Sequence, residues 1–553
     1  MSAWLQVAMQ VAVVVVVLAA VHRPLGDHLA RTFTSAPHLR VERWLYRLIR
    51  VDPDADQRWT AYLGSVLAFS AVSVLGLYAL LRLQQHLPLA LGRPPMPAAQ
   101  AWNTAVSFAT NTSWQSYAGE TALGHLAQMA GIAVQAFLSA AVGLAVAVAL
   151  VRGLVARETD RVGNFWSDLV RGLVRVLLPL SLVGAVLLLA GGVVQNLHGF
   201  RQSATLGGHP QLLPGGPVAS YEPIKLMSGD GGGFWNANSA HPFENPNPLT
   251  NILEIVLMLL VPSALPRMYG RMVGSLRQGW TVLAVMAVLW FAAVGAATAA
   301  EVHHAGPVPR AVASADEGKE VRFGVPATAL FGVSSTATAD GAVDGAHDSF
   351  TALGGGLLLA NMMLGEVSPG GIGSGLYGVL ALALLAVFLA GLMIGRTPEF
   401  LGKRVGSREI RLVALLTLVT PVTLLVGAAV AMSLPTGRSS MLNQGAHGLS
   451  EVVYAFTSAA NTNGSAFAGL NANTDFYNVS LGLVMLAGRY LPMVLTVALA
   501  GAFAGQRRTA TTAGTLPTTG PLFAALVIGV ALVVAALTFL PAMALGPLGE
   551  GLR

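Results

Sequence analysis

The chain has 553 residues, of which 54% are hydrophobic and only 10% charged, where soluble domains carry about 25% charged residues. That deficit excludes a soluble globular protein, and the absence of cysteine excludes disulfides and thiolate metal sites. The net charge of +6 does not point to nucleic acid, because the basic residues sit in short loops between apolar runs.

The first apolar run, residues 4–20, has no positive charge before it, and its first basic residue, Arg23, follows it. It reads as a retained span and not as a signal peptide. Later runs predict spans near 60–83, 126–151, 172–196, 248–267, 279–301, 376–395, 411–433, 478–503 and 520–541, each close to the roughly 20 residues that cross hydrocarbon. The expected fold is an all-α integral membrane protein of about ten transmembrane helices. An even number of spans puts both termini on one side. Most of the 32 Lys and Arg lie in alternate loops, for example Arg40, Arg43, Arg47 and Arg50, then Arg152, Arg157 and Arg161, then Lys403, Arg404 and Arg408. The positive-inside rule makes these loops cytoplasmic and both termini extracytoplasmic. The Arg40 to Arg50 stretch suits either anionic lipid head groups or a partner subunit.

Four segments on the opposite side are not ordinary polar loops. They are 105–117 (AVSFATNTSWQSY), 223–238 (PIKLMSGDGGGFWNAN), 327–343 (ATALFGVSSTATADGAV) and 454–467 (YAFTSAANTNGSAF). Each joins an apolar stretch of half-helix length to small and amide residues. Laid without gaps on the fourth, the first sets Asn111-Thr112-Ser113 over Asn461-Thr462-Asn463, with Trp114 over Gly464 and Tyr117 over Phe467. The second and third set Asp230-Gly231 and Asp340-Gly341 over Asn463-Gly464. Each segment lies between two spans, so the predicted unit is span, re-entrant segment, span, repeated four times. The chain then divides into 1–58 (first transmembrane helix and basic loop), four pore repeats at 59–152, 153–270, 271–396 and 397–508, and a last transmembrane helix in 509–553. Irregular backbone at membrane depth is tolerated only where it is buried or lines a wet cavity. Glycine can turn carbonyls toward an axis, and rings of carbonyls replace the water shell of K⁺. Gly231, Gly341 and Gly464 are the expected filter glycines. Trp114 in their place predicts a different geometry for the first loop.

Arg489 lies inside the ninth span, where a cation is expensive and usually functional. Residues 364–375, LGEVSPGGIGSG, carry too many glycines to continue a helix. Residues 373–378 match G-x-G-x-x-G, but no strand precedes them and no βαβ unit surrounds them, so no nucleotide site is expected. Glu120, Glu222 and Lys225 flank the filter segments and read either as setting the vestibule potential or as solvated. His303 and His304 read as solvated cap residues. No Walker or D-K-T-G sequence occurs, and no cytoplasmic segment, the longest being 23–59, is large enough for a nucleotide domain. This chain is therefore not expected to hydrolyse ATP itself, and if transport is uphill a partner must supply the energy.

The motifs carry a family resemblance. Residues 111–117 (NTSWQSY), 231–242 (GGGFWNANSAHP) running on through FENPNP, 364–378 (LGEVSPGGIGSGLYG), 394–402 (IGRTPEFLG) and 460–470 (ANTNGSAFAGL) resemble those of the KdpA family. These are the potassium-translocating subunits of bacterial Kdp pumps, and the likeness runs over essentially the whole chain. It implies a K⁺ selectivity filter at Asn111, Thr112, Ser113, Trp114 and Gln115; Ser228, Gly229, Asp230 and Gly231; Thr338, Ala339, Asp340 and Gly341; and Asn461, Thr462, Asn463 and Gly464. Relatives commonly read Gly-Thr-Asn before the glycines of the second loop, and Asp340 stands where a small residue is expected. The resemblance also implies a pore arginine, Arg489, below the fourth loop, and a gate under the filter around Glu366, Gly370 and Gly371. It implies a multi-pass place in the bacterial cell (inner) membrane. Implied partners are a KdpB-like P-type ATPase subunit, which uses ATP and Mg²⁺, and KdpC-like and small KdpF-like subunits. K⁺ is the transported ion, and no cofactor is expected on this chain. A stand-alone K⁺ channel or ion-coupled transporter of the same superfamily is the alternative; the two extra spans and GGGFWNANSAHP argue against it. A membrane-embedded enzyme or organic-solute carrier would need a catalytic cluster of His, Asp or Glu within the spans, and the sequence offers none.

Overall fold

A computed structural model describes residues 2–303, 316–509 and 515–552; His304 lies outside them. Among these residues, ten helices are long and apolar enough to cross a membrane. In chain order the helices that matter are α1 (Ala3–Thr34), α2 (Arg40–Leu48), α3 (Trp59–Arg82), α4 (Ala98–Ala109), α5 (Ala127–Val155), α6 (Phe165–Ala190) and α7 (Val218–Ser228). They continue with α8 (Pro248–Met272), α9 (Leu276–Val302), α10 (Val325–Thr338), α11 (Ala352–Met363), α12 (Ser374–Met393) and α13 (Ser407–Ser433). The last are α14 (Gly445–Asn461), α15 (Asp475–Ala504), α16 (Pro521–Leu545) and the short α17 (Pro547–Gly551). The ten spans are α1, α3, α5, α6, α8, α9, α12, α13, α15 and α16. The four short helices α4, α7, α10 and α14 each stop between two spans and run into one of the four irregular segments.

The first span is longer than its apolar run. α1 continues past Pro24 to Thr34 because Asp27 receives Arg267 at 2.8 Å and Arg271 at 2.7 Å from α8, so the polar extension is held by ion pairs.

Burial separates lining from jacket. α5 is largely buried within the bundle, whereas α1 is largely exposed on its outside. In the absence of a hydrophobic drive between helices in lipid, close contact relies on small residues. Gly153 of α5 lies flat on the backbone of Ala500 in α15, where a Cβ would stand 2.7 Å from the Ala500 Cα. The basic end of the bundle is tied by buried polar contacts. Arg152 grips Asp168 through both terminal guanidinium nitrogens at 2.6 and 2.7 Å, and Tyr62 donates to the same carboxylate at 3.0 Å. A short hairpin, β1 (Glu399–Phe400) with β2 (Lys403–Arg404), carries Lys403 under the ends of α5 and α15. Its ammonium donates to the carbonyls of Gly153 (2.9 Å), Ala156 (2.5 Å) and Phe503 (2.6 Å), a cation on two helix C-termini.

At the opposite end, His447 at the start of α14 joins three elements. Its Nε2 lies 2.8 Å from Asp348, and its Nδ1 lies 3.1 Å from Glu550 of α17. The hydrogen bond to Asp348, followed by attraction to both carboxylates, raises the imidazole to about 9. This value is above the unfolded one, so the stabilisation is complete below the unfolded pKa and is lost as pH rises through about 9. Thermal unfolding of the purified protein should therefore move to lower temperature between pH 7 and pH 10. His447→Gln should remove that component, so that its melting point changes less over the same range.

Candidate ion-binding site

The four irregular segments share one backbone plan. α7, α10 and α14 end in left-handed caps at Gly229 (φ 57°), Ala339 (φ 58°) and Thr462 (φ 59°), and Asn111 after α4 has φ 61°. The next residue in each loop returns its N–H to a carbonyl five residues back: Thr112 to Ser107, Asp230 to Lys225, Asp340 to Ser335 and Asn463 to Ser458, at 2.9 to 3.3 Å. A second left-handed residue follows, at Ser113 (φ 54°), Gly231 (φ 71°), Gly341 (φ 76°) and Gly464 (φ 96°). A helix end closed in this way satisfies the last orphan carbonyls and leaves the chain beyond it irregular.

This plan corrects the expected register of the first loop. The second, third and fourth loops match as the sequence suggests. The first is displaced by one residue, so that Ser113, and not Trp114, stands at the glycine position, and Asn111 stands over Thr462. The Asn-Thr pair common to loops one and four misleads the alignment, because the hydrogen-bond closure and not side-chain identity fixes the frame. Thr110 accordingly takes the place of Ser228, Thr338 and Asn461, the last helical residues of the other pore helices. Trp114 is buried and lies one residue beyond the left-handed position.

The loops meet edge to edge. A Cβ on Gly231 would collide with the carbonyl oxygen of Asp340, one on Gly341 with that of Asn463, and one on Gly464 with that of Thr112. The Ser113 Cβ lies 3.1 Å from where a Cβ on Gly232 would stand. Loop two thus abuts loop three, three abuts four, four abuts one, and one abuts two. Side chains staple the ring. Asn111 Nδ2 donates to the carbonyls of Gly229 (2.5 Å) and Ser228 (3.3 Å), and Asn463 Nδ2 donates to Ser335 (3.1 Å). Gln115 is bonded both ways to the backbone of Gly233, accepting at 2.8 Å and donating at 3.2 Å. Asp230 and Asp340 occupy the Asn463 position in their loops and are fully buried. All four loops line one open cavity of about 700 Å³, through Ser113, Gly232, Gly341 and Gly464, with Lys319, Glu320 and Asp344 at its wall.

Beneath the ring the seventh span is interrupted. α11 ends at Met363 and α12 begins at Ser374. Between them Gly365, Glu366, Gly370 and Gly373 all take left-handed φ, which no helix accommodates. From Glu366 to Gly373 this segment is buried and is not an external turn. Gly370 donates to the Ala337 carbonyl at 2.8 Å, and the Cβ position of Gly371 is 3.3 Å from the carbonyl oxygen of Thr338. Asn361 ties it to α10 through Val333 (3.1 Å) and Thr336 (3.0 Å). Arg489, 3% exposed, donates to the Ser139 carbonyl at 3.0 Å and lies 3.4 Å from Asn111 Oδ1. It spans from α15, beside the end of α14, to the first loop. None of the ion pairs formed among the described residues includes it. A smaller cavity of about 130 Å³ opens beside Glu366 and Thr462, toward α13, α15 and α16.

Other sequence expectations need correction. Lys225 and Glu222 do not face the vestibule and are not solvated: both are fully buried and paired at 2.7 Å. Glu120 accepts from the backbone of Asn236 at 2.9 Å. His303, by contrast, is exposed as the C-cap of α9, in line with the solvated cap residue expected. Nothing in the local sequence marks Gly143. This residue sits in an apolar run, yet a Cβ there would stand 2.9 Å from Arg489 Nη2 and against the carbonyl of Ile372. The only available signal was a small residue in a long span.

Residues 12–552 match the family model described as the potassium-transporting ATPase A subunit, KdpA. A protein of Kineococcus radiotolerans is 62% identical over 544 residues, one of Clavibacter michiganensis 57% over 549, both covering 98% of each chain, and one of Streptomyces coelicolor 55% over 552, covering 100% of each. Each of the three is named a potassium-transporting ATPase potassium-binding subunit. On the length and depth of these matches, the chain belongs to the KdpA family of potassium-transporting ATPase A subunits.

Proposed function

We infer that the chain is the K⁺-binding, translocating subunit of an ATP-driven potassium uptake pump. Like its named relatives it is a potassium-binding subunit, and hydrolysis belongs to a partner. The balanced reaction of the whole complex is ATP + H₂O + K⁺(out) → ADP + phosphate + K⁺(in). The observation that carries the reading is the closed ring of four loops, each meeting the next backbone to backbone. Carbonyl rings of this kind exchange for the hydration shell of K⁺. The four pore helices aim their C-termini at the ring, and the partial negative charge there favours a cation.

The residue roles follow from place. Asn111 to Ser113, Gly229 to Gly231, Ala339 to Gly341 and Thr462 to Gly464 supply the carbonyls. Trp114 and Gln115 brace them. The interrupted segment from Gly365 to Gly373, with Gly370 and Gly371 under loop three, blocks the straight path below. Arg489 places a fixed positive charge there, so the ion leaves sideways past Glu366 through the smaller cavity toward a P-type ATPase subunit. KdpC-like and KdpF-like subunits complete the complex. The filter faces outward, both termini are extracytoplasmic, and the four pore repeats are the units that surround the path. On the cytoplasmic side α2 presents Val41, Trp44 and Leu48, all exposed, beside Arg40, Arg43 and Arg47. An apolar stripe flanked by arginines suits the anionic inner leaflet.

In the purified complex, Gly464→Ala should raise the K⁺ concentration for half-maximal ATPase stimulation on the order of tenfold or more and narrow the gap between K⁺ and Rb⁺. Unchanged titrations would defeat the filter reading. Arg489→Met should admit ATP-independent Rb⁺ flux into liposomes, and a tight variant would refute its blocking role. Replacing Arg40, Arg43 and Arg47 by Gln should abolish any gain in ATPase rate on passing from zwitterionic to anionic nanodiscs. An undiminished gain would move α2 from lipid to a protein partner.

A further inference from the structure

In three pore helices, the residue whose carbonyl closes the filter loop is a serine: Ser107, Ser335 or Ser458. In the second it is Lys225, whose carbonyl receives both Asp230 (3.1 Å) and Gly231 (3.2 Å). A fully buried lysine is costly unless every proton of its ammonium is matched. Here Nζ lies 2.7 Å from Glu222 and 2.9 Å from Glu244, and it donates to Asn238 (2.7 Å) and Ser239 (3.2 Å). The other oxygen of Glu244 accepts the N–H of Trp235 at 2.7 Å. One residue therefore holds both ends of the run from Gly231 to Trp235: its carbonyl holds the start, and its side chain, through Glu244, holds the finish.

That run needs an external frame more than its counterparts do. Loop two carries three successive glycines, and Gly231 and Gly232 have φ of 71° and 74°. Polyglycine loses the most backbone freedom on ordering. Gly231 also meets the Asp340 carbonyl directly, so a shift in loop two displaces loop three as well.

We propose that Lys225 is a positioning residue for ion selection: with Glu244 it fixes the triglycine loop, and thereby sets K⁺ affinity and discrimination against Rb⁺. The proposal rests on the filter reading above. Its test is the ATPase of the assembled complex titrated with K⁺ and with Rb⁺, for wild type, Lys225→Met, Glu244→Gln and Gly464→Ala. Lys225→Met should raise half-saturation for K⁺ on the order of tenfold and shrink the K⁺ to Rb⁺ ratio, with the rate at saturating K⁺ changed by less than about threefold. Glu244→Gln should shift both in the same direction by less. A purely structural role would lower the yield of complex and leave the half-saturation of what assembles untouched; that result overturns the proposal. Should Lys225→Met fail to assemble, Glu244→Gln decides: wild-type half-saturation and ratio in that variant also overturn it. A shift in Gly464→Ala without one in the Lys225 and Glu244 variants defeats the positioning role alone. No shift in Gly464→Ala defeats the filter reading itself.

Discussion

The contact on which everything else depends is backbone against backbone. Gly231, Gly341 and Gly464 each leave no room for a Cβ before the carbonyl of the next loop. Main chain packed this closely leaves little room for side chains between the loops, so beyond the staples from Asn111, Asn463 and Gln115 the frame comes from outside. It comes from four half-helices, each closed by a left-handed cap and a return hydrogen bond to a carbonyl five residues earlier. The ten spans exist, in this sense, to hold four helix ends at one place in the membrane.

The four-fold plan is approximate, and its departures are chemical. Loop one dispenses with glycine and turns at Ser113. Loops two and three carry buried aspartates where loop four has Asn463. Repeat two carries a lysine where the other three have serine. Repeat three alone breaks its second span, and repeat four alone supplies Arg489. Under the proposed function, this one-sided obstruction in a near-symmetric scaffold would take an ion in along the axis and send it out laterally.

The spans were legible because burial in lipid demands long apolar runs, and that demand is local. Four pore segments were legible because the same need recurs at matching places. Residues 364–375 were legible as a break because glycine density forbids a helix. What the sequence hid is long-range. The one-residue displacement of loop one depends on which carbonyl its amide reaches. Lys225 meets Glu244 across 19 residues, and Arg489 meets Asn111 across 378; nothing in the local pattern of either announces its partner. Charged residues next to a filter motif suggest a wet vestibule, and only the complete burial of Glu222 and Lys225 shows a framework.

The most direct test is a density map of the assembled complex prepared in K⁺ and again in Na⁺. The account predicts ion density on the common axis in K⁺, enclosed by the carbonyls of Asn111, Thr112, Gly229, Asp230, Ala339, Asp340, Thr462 and Asn463, and its loss or weakening in Na⁺. Loops standing apart from one another, or a K⁺ density located away from these carbonyls, would contradict it.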